Sequence, residues 1–336
     1  MNENVFKRMM GIKGMGAALT AFAGLIIIYA TFGIINPTVF SGQNILNLLR
    51  SMSKYLLIGI AQSYVMITGN IDLSIGSQVG MSAMIVATLM TFGTNPAVAV
   101  LVALIACVIS GIVNGILVGK FKLPPFIATL GTMFVTRGVA YMVNNNRNTD
   151  AIASGVGKEV GDAFQNSFYY GTTLGVYNTF WISLIVFVIF FFLLSKTKSG
   201  RHIYAIGSNV DAARLSGVDV TKTTTKAYLV SAVCSCLVGT ILCAQAGMGN
   251  MEAGNMYEMY GVAAGVIGGV SPLGGTGLLL GTFAGAAVWQ TLENGLNMVG
   301  AQVGIQRLVI GVIVVAAVLL DIVIRGGKKV SKKKVA

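Results

Sequence analysis

Ionisable side chains embedded in apolar runs are the first candidates for function in this 336-residue sequence. At the centre of a membrane helix such a group costs about 2.5–3.5 kcal/mol, so each one asks for a reason. Arg137 is the clearest case, well inside the apolar run 124–143. It needs a carboxylate or a carbonyl as partner; Glu293, the one carboxylate deep in an apolar run, and Asp72 are the candidate carboxylates, and a structural ion pair is the plainer reading. Asp72 also suits a second role, as an acidic residue at the positive end of the helix that starts near Ser74, fixing the loop before it.

A catalytic reading finds nothing to build on. His202 is the sole histidine, and no nucleophile is paired with a base. Cys107, Cys234, Cys236 and Cys243 all fall in apolar stretches and read as packing thiols; no metal site is expected. The phosphate-cradling loop Gly-x-x-x-x-Gly-Lys-Ser/Thr is missing: Gly119-Lys120 comes nearest, but Asn114 stands at its first glycine and Phe121 follows the lysine. No catalytic residue and no cofactor are therefore expected in this chain.

The elements that position these residues are helices in a bilayer. Only 10% of the residues are charged and 55% are hydrophobic, against about 25% charged in a soluble domain. Apolar runs reach roughly the 20 residues needed to cross a bilayer. The 43 glycines sit mostly inside these runs, where small residues let helix backbones approach closely. The formal charge of +12 is spread over loops rather than gathered on a polar domain with stacking aromatics, which excludes a nucleic-acid partner.

Membrane helices are predicted near 16–35, 52–68, 74–92, 96–118, 124–143, 179–194, 227–245, 258–270, 275–299 and 305–324. The first, although it follows Lys7, Arg8 and Lys13, continues past the Ala21-Phe22-Ala23 run and reads as an uncleaved span. Lysine and arginine collect at the N-terminus, at Lys120 and Lys122, between Lys196 and Lys226, and from Arg325 to Lys334. The positive-inside rule makes that side cytoplasmic, with Arg50, Lys54, Arg147 and Lys158 opposite; Arg50 and Lys54 fit poorly and point to the second span as the weakest placement. The expected organisation is all-α: a polytopic membrane protein of about ten helices with both termini cytoplasmic. Its parts are an N-terminus over 1–15, one transmembrane domain over 16–325 with a large cytoplasmic loop over 196–226, and a basic tail over 326–336. The related segments Asn114-Gly115 and Asn294-Gly295, with Asp72 opposite Glu258, fit an inverted repeat, although Asn-Gly pairs also simply end helices.

Within the cytoplasmic loop, Asn209 can cap a short helix over 210–216, Asp211 sits in its first turn, and Gly217 can close it. Two turns are unstable alone, so something outside the loop is expected to hold it. The run from Gly200-Arg201-His202 through Ile206-Gly207-Ser208-Asn209, then Ala212-Ala213-Arg214-Leu215-Ser216-Gly217, resembles the cytoplasmic loop of the ribose and galactose permease family of bacterial ATP-binding-cassette importers. Matching motifs follow in order: Gly69-Asn70-Ile71-Asp72-Leu73-Ser74, Pro125-Phe126-Ile127-Ala128-Thr129, Tyr257-Glu258, Gly268-Gly269-Val270-Ser271 and Asn294-Gly295-Leu296-Asn297. The resemblance runs from about Asn36 to Asp321.

That resemblance implies a multi-pass permease of the cytoplasmic (inner) membrane, in contact with lipid. It implies a permease homodimer, a cytoplasmic ATPase that binds ATP and Mg, and an extracytoplasmic sugar-binding protein. The coupling helix to the ATPase would carry Asn209, Asp211, Ala212, Ala213, Arg214, Leu215 and Gly217. Sugar passage favours neutral hydroxyl and amide groups, so Asn70, Asp72, Asn114, Thr129, Thr132, Asn294 and Asn297 are the candidates for the substrate pathway, against the plainer reading of each as a helix–helix hydrogen bond. Tyr260 and Gly261 depart from the family pattern, which usually has an acidic residue at the first, and Ile305-Gln306-Arg307 departs near the end. Those changes leave the particular cargo open: a monosaccharide, or a nucleoside, a branched-chain amino acid or a sugar-derived signal. An ion-coupled secondary transporter is disfavoured by the isolation of Glu293.

Overall fold

The structure is a computed structural model that describes residues 14–309, 311–313 and 315–316. The basic N-terminal cluster, the tail after Arg325 and half of the predicted span 305–324 lie outside the described residues.

Thirteen helices carry the fold as described: α1 (Met15–Ile35), α2 (Gly42–Ile67), α3 (Ile75–Thr91), α4 (Pro96–Gly119), α5 (Pro125–Met142), α6 (Ala153–Val156), α7 (Lys158–Gln165), α8 (Asn178–Lys196), α9 (Lys198–Ser208), α10 (Val210–Leu215), α11 (Val220–Ala246), α12 (Tyr257–Ile267) and α13 (Leu279–Met298). A two-residue hairpin, β1 (Thr172–Thr173) and β2 (Val176–Tyr177), is the one sheet among the described residues. Among the described residues, four helices, α1, α4, α8 and α11, are each long and apolar enough to cross a membrane. The first three leave large apolar side chains such as Ile26, Ile109 and Phe192 uncovered, as a lipid-facing surface requires.

α11 is the central post. It packs against α2, α3 and α4, and 72% of its most apolar stretch is buried. The contact with α4 is made by Gly111, Gly115 and Gly119, one per turn. A β-carbon at Gly111 would lie 2.8 Å from the Tyr228 carbonyl oxygen, and one at Gly115 would lie 2.5 Å from Thr225 Cα. The glycine ladder therefore seats one helix backbone on another, the way small residues drive association where lipid offers no hydrophobic difference.

The two halves of the bundle exchange partners. α2 barely touches α3 and packs instead on α11, α12 and α13, whereas α11 packs on α2, α3 and α4. Two helix breaks result: residues 68–74 between α2 and α3, and residues 247–256 between α11 and α12.

Three boundaries differ from the sequence reading. α2 begins at Gly42 rather than 52 because Ser41 accepts from the Asn44 N–H and caps it; the polar stretch Ser41–Asn44 hid the helix from an apolar count. Arg50 and Lys54 are consequently helical residues and not loop charges, which accounts for their poor fit to the charge rule. α11 begins at Val220 rather than 227, capped by Asp219, which accepts from the Lys222 N–H at 2.9 Å. The stretch 198–208, taken as loop, is α9, capped by Thr197.

Candidate functional site

The first break is organised around Asp72, which is fully buried. Gly69, at φ +81°, turns the chain out of α2. Asp72 Oδ1 then accepts from the Ser74 N–H at 2.9 Å and the Ser74 hydroxyl at 2.6 Å, and Oδ2 accepts from Ser231 of α11 at 2.7 Å. Ser74 Oγ accepts in turn from Gln78 and from Asn114 of α4, and Asn114 Oδ1 accepts from Thr132 of α5 at 2.7 Å. Four helices are joined through the network around one carboxylate, whose three donors and place before the N-terminus of α3 offset part of its desolvation.

The structure thus brings Asp72, Asn114 and Thr132 together, but uses their polar atoms on one another. Thr129 donates to the Pro125 carbonyl of its own helix. Asn70 lies apart, donating to Thr68 at the edge of a pocket beside α10. Asn294 donates to Asn44, and Asn297 accepts from Gln306, at the opposite end of the bundle. The seven pathway candidates therefore fall in separate places.

Arg137 is satisfied by carbonyls rather than by Glu293 or Asp72. Its guanidinium donates to Met251 at 2.7 Å, Ala253 at 3.1 Å and Gly76 at 3.3 Å. One side chain of α5 thereby pins the second break to the N-terminus of α3. The approach is tight: a β-carbon at Gly76 would collide with the Glu258 carboxylate and the Gly254 carbonyl. Residues 148–152 hold the same break from outside, through Thr149 N–H to Gly249 O at 3.1 Å and Ile152 N–H to Gly247 O at 2.9 Å. The N-termini of α3 and α12 meet at this point.

Glu293 belongs to a different cluster. Its Oε2 accepts from the Tyr55 hydroxyl at 2.7 Å, and Tyr55 sits among Tyr257, Tyr260 and Trp289 with ring centroids 5.8–6.3 Å away. Tyr260, where the family pattern has an acid, is thus an aromatic packing residue, 5.0 Å from Trp289. Arg50 lies between the rings of Tyr169 and Tyr177, 4.6 and 4.1 Å from their centroids. Sequence reading missed this cluster because its members come from four distant segments.

The other end of the bundle carries α9 and α10. Asn209 Oδ1 accepts from the Ala212 N–H at 2.9 Å, and Gly217, at φ +82°, closes the turn. The short helix is steadied within the loop itself, since Ala213 is buried with Ile206 and Val218 in a small core of their own. That corrects the expectation that its support lies wholly outside the loop. Asp211 and Arg214 pair at 3.3 Å on the surface, a contact worth little in water. Leu215 projects outward and is 90% exposed. Behind α10, a pocket of about 350 Å³ separates it from Thr68, Asn70 and Lys122. α9 is in turn fastened to the bundle: Tyr204 donates to the Gly277 carbonyl at 2.7 Å, and the Gly275 N–H donates to Ile67 O at 2.9 Å beside Gly207. α9 thus links α10 to the end of α2 and to the loop before α13.

With this geometry in hand, comparison with known proteins is informative. The chain matches, over residues 44–318, the family described as branched-chain amino acid transport system / permease component. It is 36% identical over 308 residues to a ribose import permease protein of Bacillus subtilis, covering 92% of this chain and 94% of that one. It is 33% identical over 299 residues to a D-allose transport system permease protein of Escherichia coli, with 88% and 89% coverage. An autoinducer 2 import system permease protein of an Enterobacter species is 30% identical over 303 residues, with 90% and 86% coverage. No solved structure matches the chain.

Proposed function

The chain belongs to the branched-chain amino acid transport system / permease component family, and from that membership we propose that it is the membrane-spanning subunit of an ATP-driven importer carrying a monosaccharide such as ribose. The observation that carries the reading is end-to-end similarity to permeases named for ribose and allose. Similarity to an autoinducer 2 permease favours one second reading, a sugar-derived signal as cargo in the same architecture.

In this reading the chain works as a homodimer in the cytoplasmic membrane. A separate ATPase binds ATP and Mg, and an extracytoplasmic sugar-binding protein delivers the cargo. About ten spans place both termini and α9–α10 in the cytosol. The reciprocal packing of α2 with α12 and α13, and of α11 with α3 and α4, supports an inverted repeat in which Asp72 and Glu258 open corresponding helices. α10 is the coupling helix: closure of the ATPase pushes Leu215 and Val210, α9 carries the push to Ile67 and Gly277, and α2 shifts against α12 and α13. Asp72 and Arg137 keep the two breaks in register while the halves move.

The test is uptake of radiolabelled D-ribose by proteoliposomes holding the permease, its ATPase and its receptor. ATP-dependent accumulation is expected. Uptake that runs without ATP on an ion gradient overturns the reading.

A further inference from the structure

A cavity of about 410 Å³ lies between α2, α3, α11 and the break before α12, lined among others by Lys54, Ala83, Leu242, Gln245, Asn250 and Tyr257. Its size falls within the roughly 300–1,000 Å³ typical of small-molecule sites. Asn250 and Ala246 are exposed, so the cavity opens at the surface, at the end of the bundle opposite α10.

Lys54 is the unusual member. It is the sole charged residue of the lining, and its ammonium makes no hydrogen bond and no ion pair among the described residues. Glu293, whose Oε2 accepts from the Tyr55 hydroxyl, acts on it only through space. The ammonium instead sits 5.1 Å from the Tyr55 ring centroid. Near it the lining offers two amides, Gln245 and Asn250, and the phenol of Tyr257.

Resting on the importer reading above, we infer that this cavity is a solute subsite in the permease, with Lys54 as its specificity-determining donor and an uncharged, hydroxyl-rich ring as its ligand. A free ammonium donates to hydroxyl oxygens, the two amides both donate and accept, and Tyr257 supplies an aromatic surface and a further hydroxyl. A lone positive charge with no carboxylate in the lining disfavours a cationic solute. The contact is strong enough to orient a sugar, and the opening lets it leave, as a conducting site requires.

The experiment uses proteoliposomes holding the whole complex, with D-ribose and D-allose as probes. Lys54→Met, near in length and apolar reach, is expected to lower import at least tenfold while the permease still co-purifies with its ATPase; Lys54→Arg is expected to retain more import than Lys54→Met. Independently, Ala246→Cys, at an exposed lining position with no polar group, is expected to import until a bulky thiol reagent is attached at the cavity mouth, and then to stop. Wild-type complex that imports neither sugar overturns the monosaccharide reading and this inference with it. Wild-type import left intact by Lys54→Met, or by the labelled Ala246→Cys, overturns the subsite alone.

Discussion

Replacing Leu215 by aspartate separates the coupling role of α10 from its folding. The side chain is 90% exposed and makes no contact that holds the loop together, so Leu215→Asp leaves the permease itself within about 0.5 kcal/mol of the parent. If Leu215 enters an apolar groove on the ATPase, truncation there removes the burial of one leucine, about 2 kcal/mol, which is roughly thirtyfold in affinity at 1.4 kcal/mol per tenfold. A carboxylate placed in the groove adds a desolvation cost. Ala213→Asp is the contrasting variant: Ala213 is 5% exposed against Ile206 and Val218, so its loss disorders the loop. The assay is recovery of the ATPase with detergent-solubilised permease, with thermal stability of the permease measured alongside. Leu215→Asp is expected to keep its stability and lose its ATPase; unchanged recovery at unchanged stability refutes the coupling assignment.

Arg137→Met leaves three carbonyls without their shared donor and is expected to cost about 3 kcal/mol, at about 1–3 kcal/mol for a buried group left unpaired, read as a drop in thermal stability; Arg137→Lys, which can reach fewer carbonyls, should fall between the two. Gly115→Leu places side-chain atoms against the backbone at Thr225 and should yield no folded permease on size-exclusion chromatography, whereas Gly16→Ala, with open space at that position, should be silent. At the start of α11, the Lys222 backbone N–H and then its ammonium, 3.3 Å away, hold the Asp219 carboxyl below its ordinary value. A depressed folded-state pKa means that this cap acts above the ordinary carboxylate range and fades only as pH falls through the lowered value. Asp219→Asn should therefore remove an acid-dependent step from the titration of the loop, observed by NMR, and at neutral pH should keep the side-chain cap while losing the part that the charge contributes.

Much of this molecule was legible along the chain because the information is local. Apolar length marks α1, α4 and α8, a capping asparagine and a glycine bracket α10, and glycine spacing marks the seam on α4; each depends on residues a few positions apart. Helix ends were less legible where a polar first turn preceded the apolar run, as in α2 and α11, since a cap upstream of that run carries no hydropathy signal. The partners of the buried charges could not be read at all. Arg137 chose carbonyls of a break more than a hundred residues away, and Glu293 took the hydroxyl of Tyr55 across 238 positions. Composition and periodicity decide that a segment is helical and lipid-compatible, because those are properties of one helix in its solvent. Which helix it meets, and which polar group closes on which, is settled only when α2 and α11 cross into each other's halves and bring the two breaks face to face.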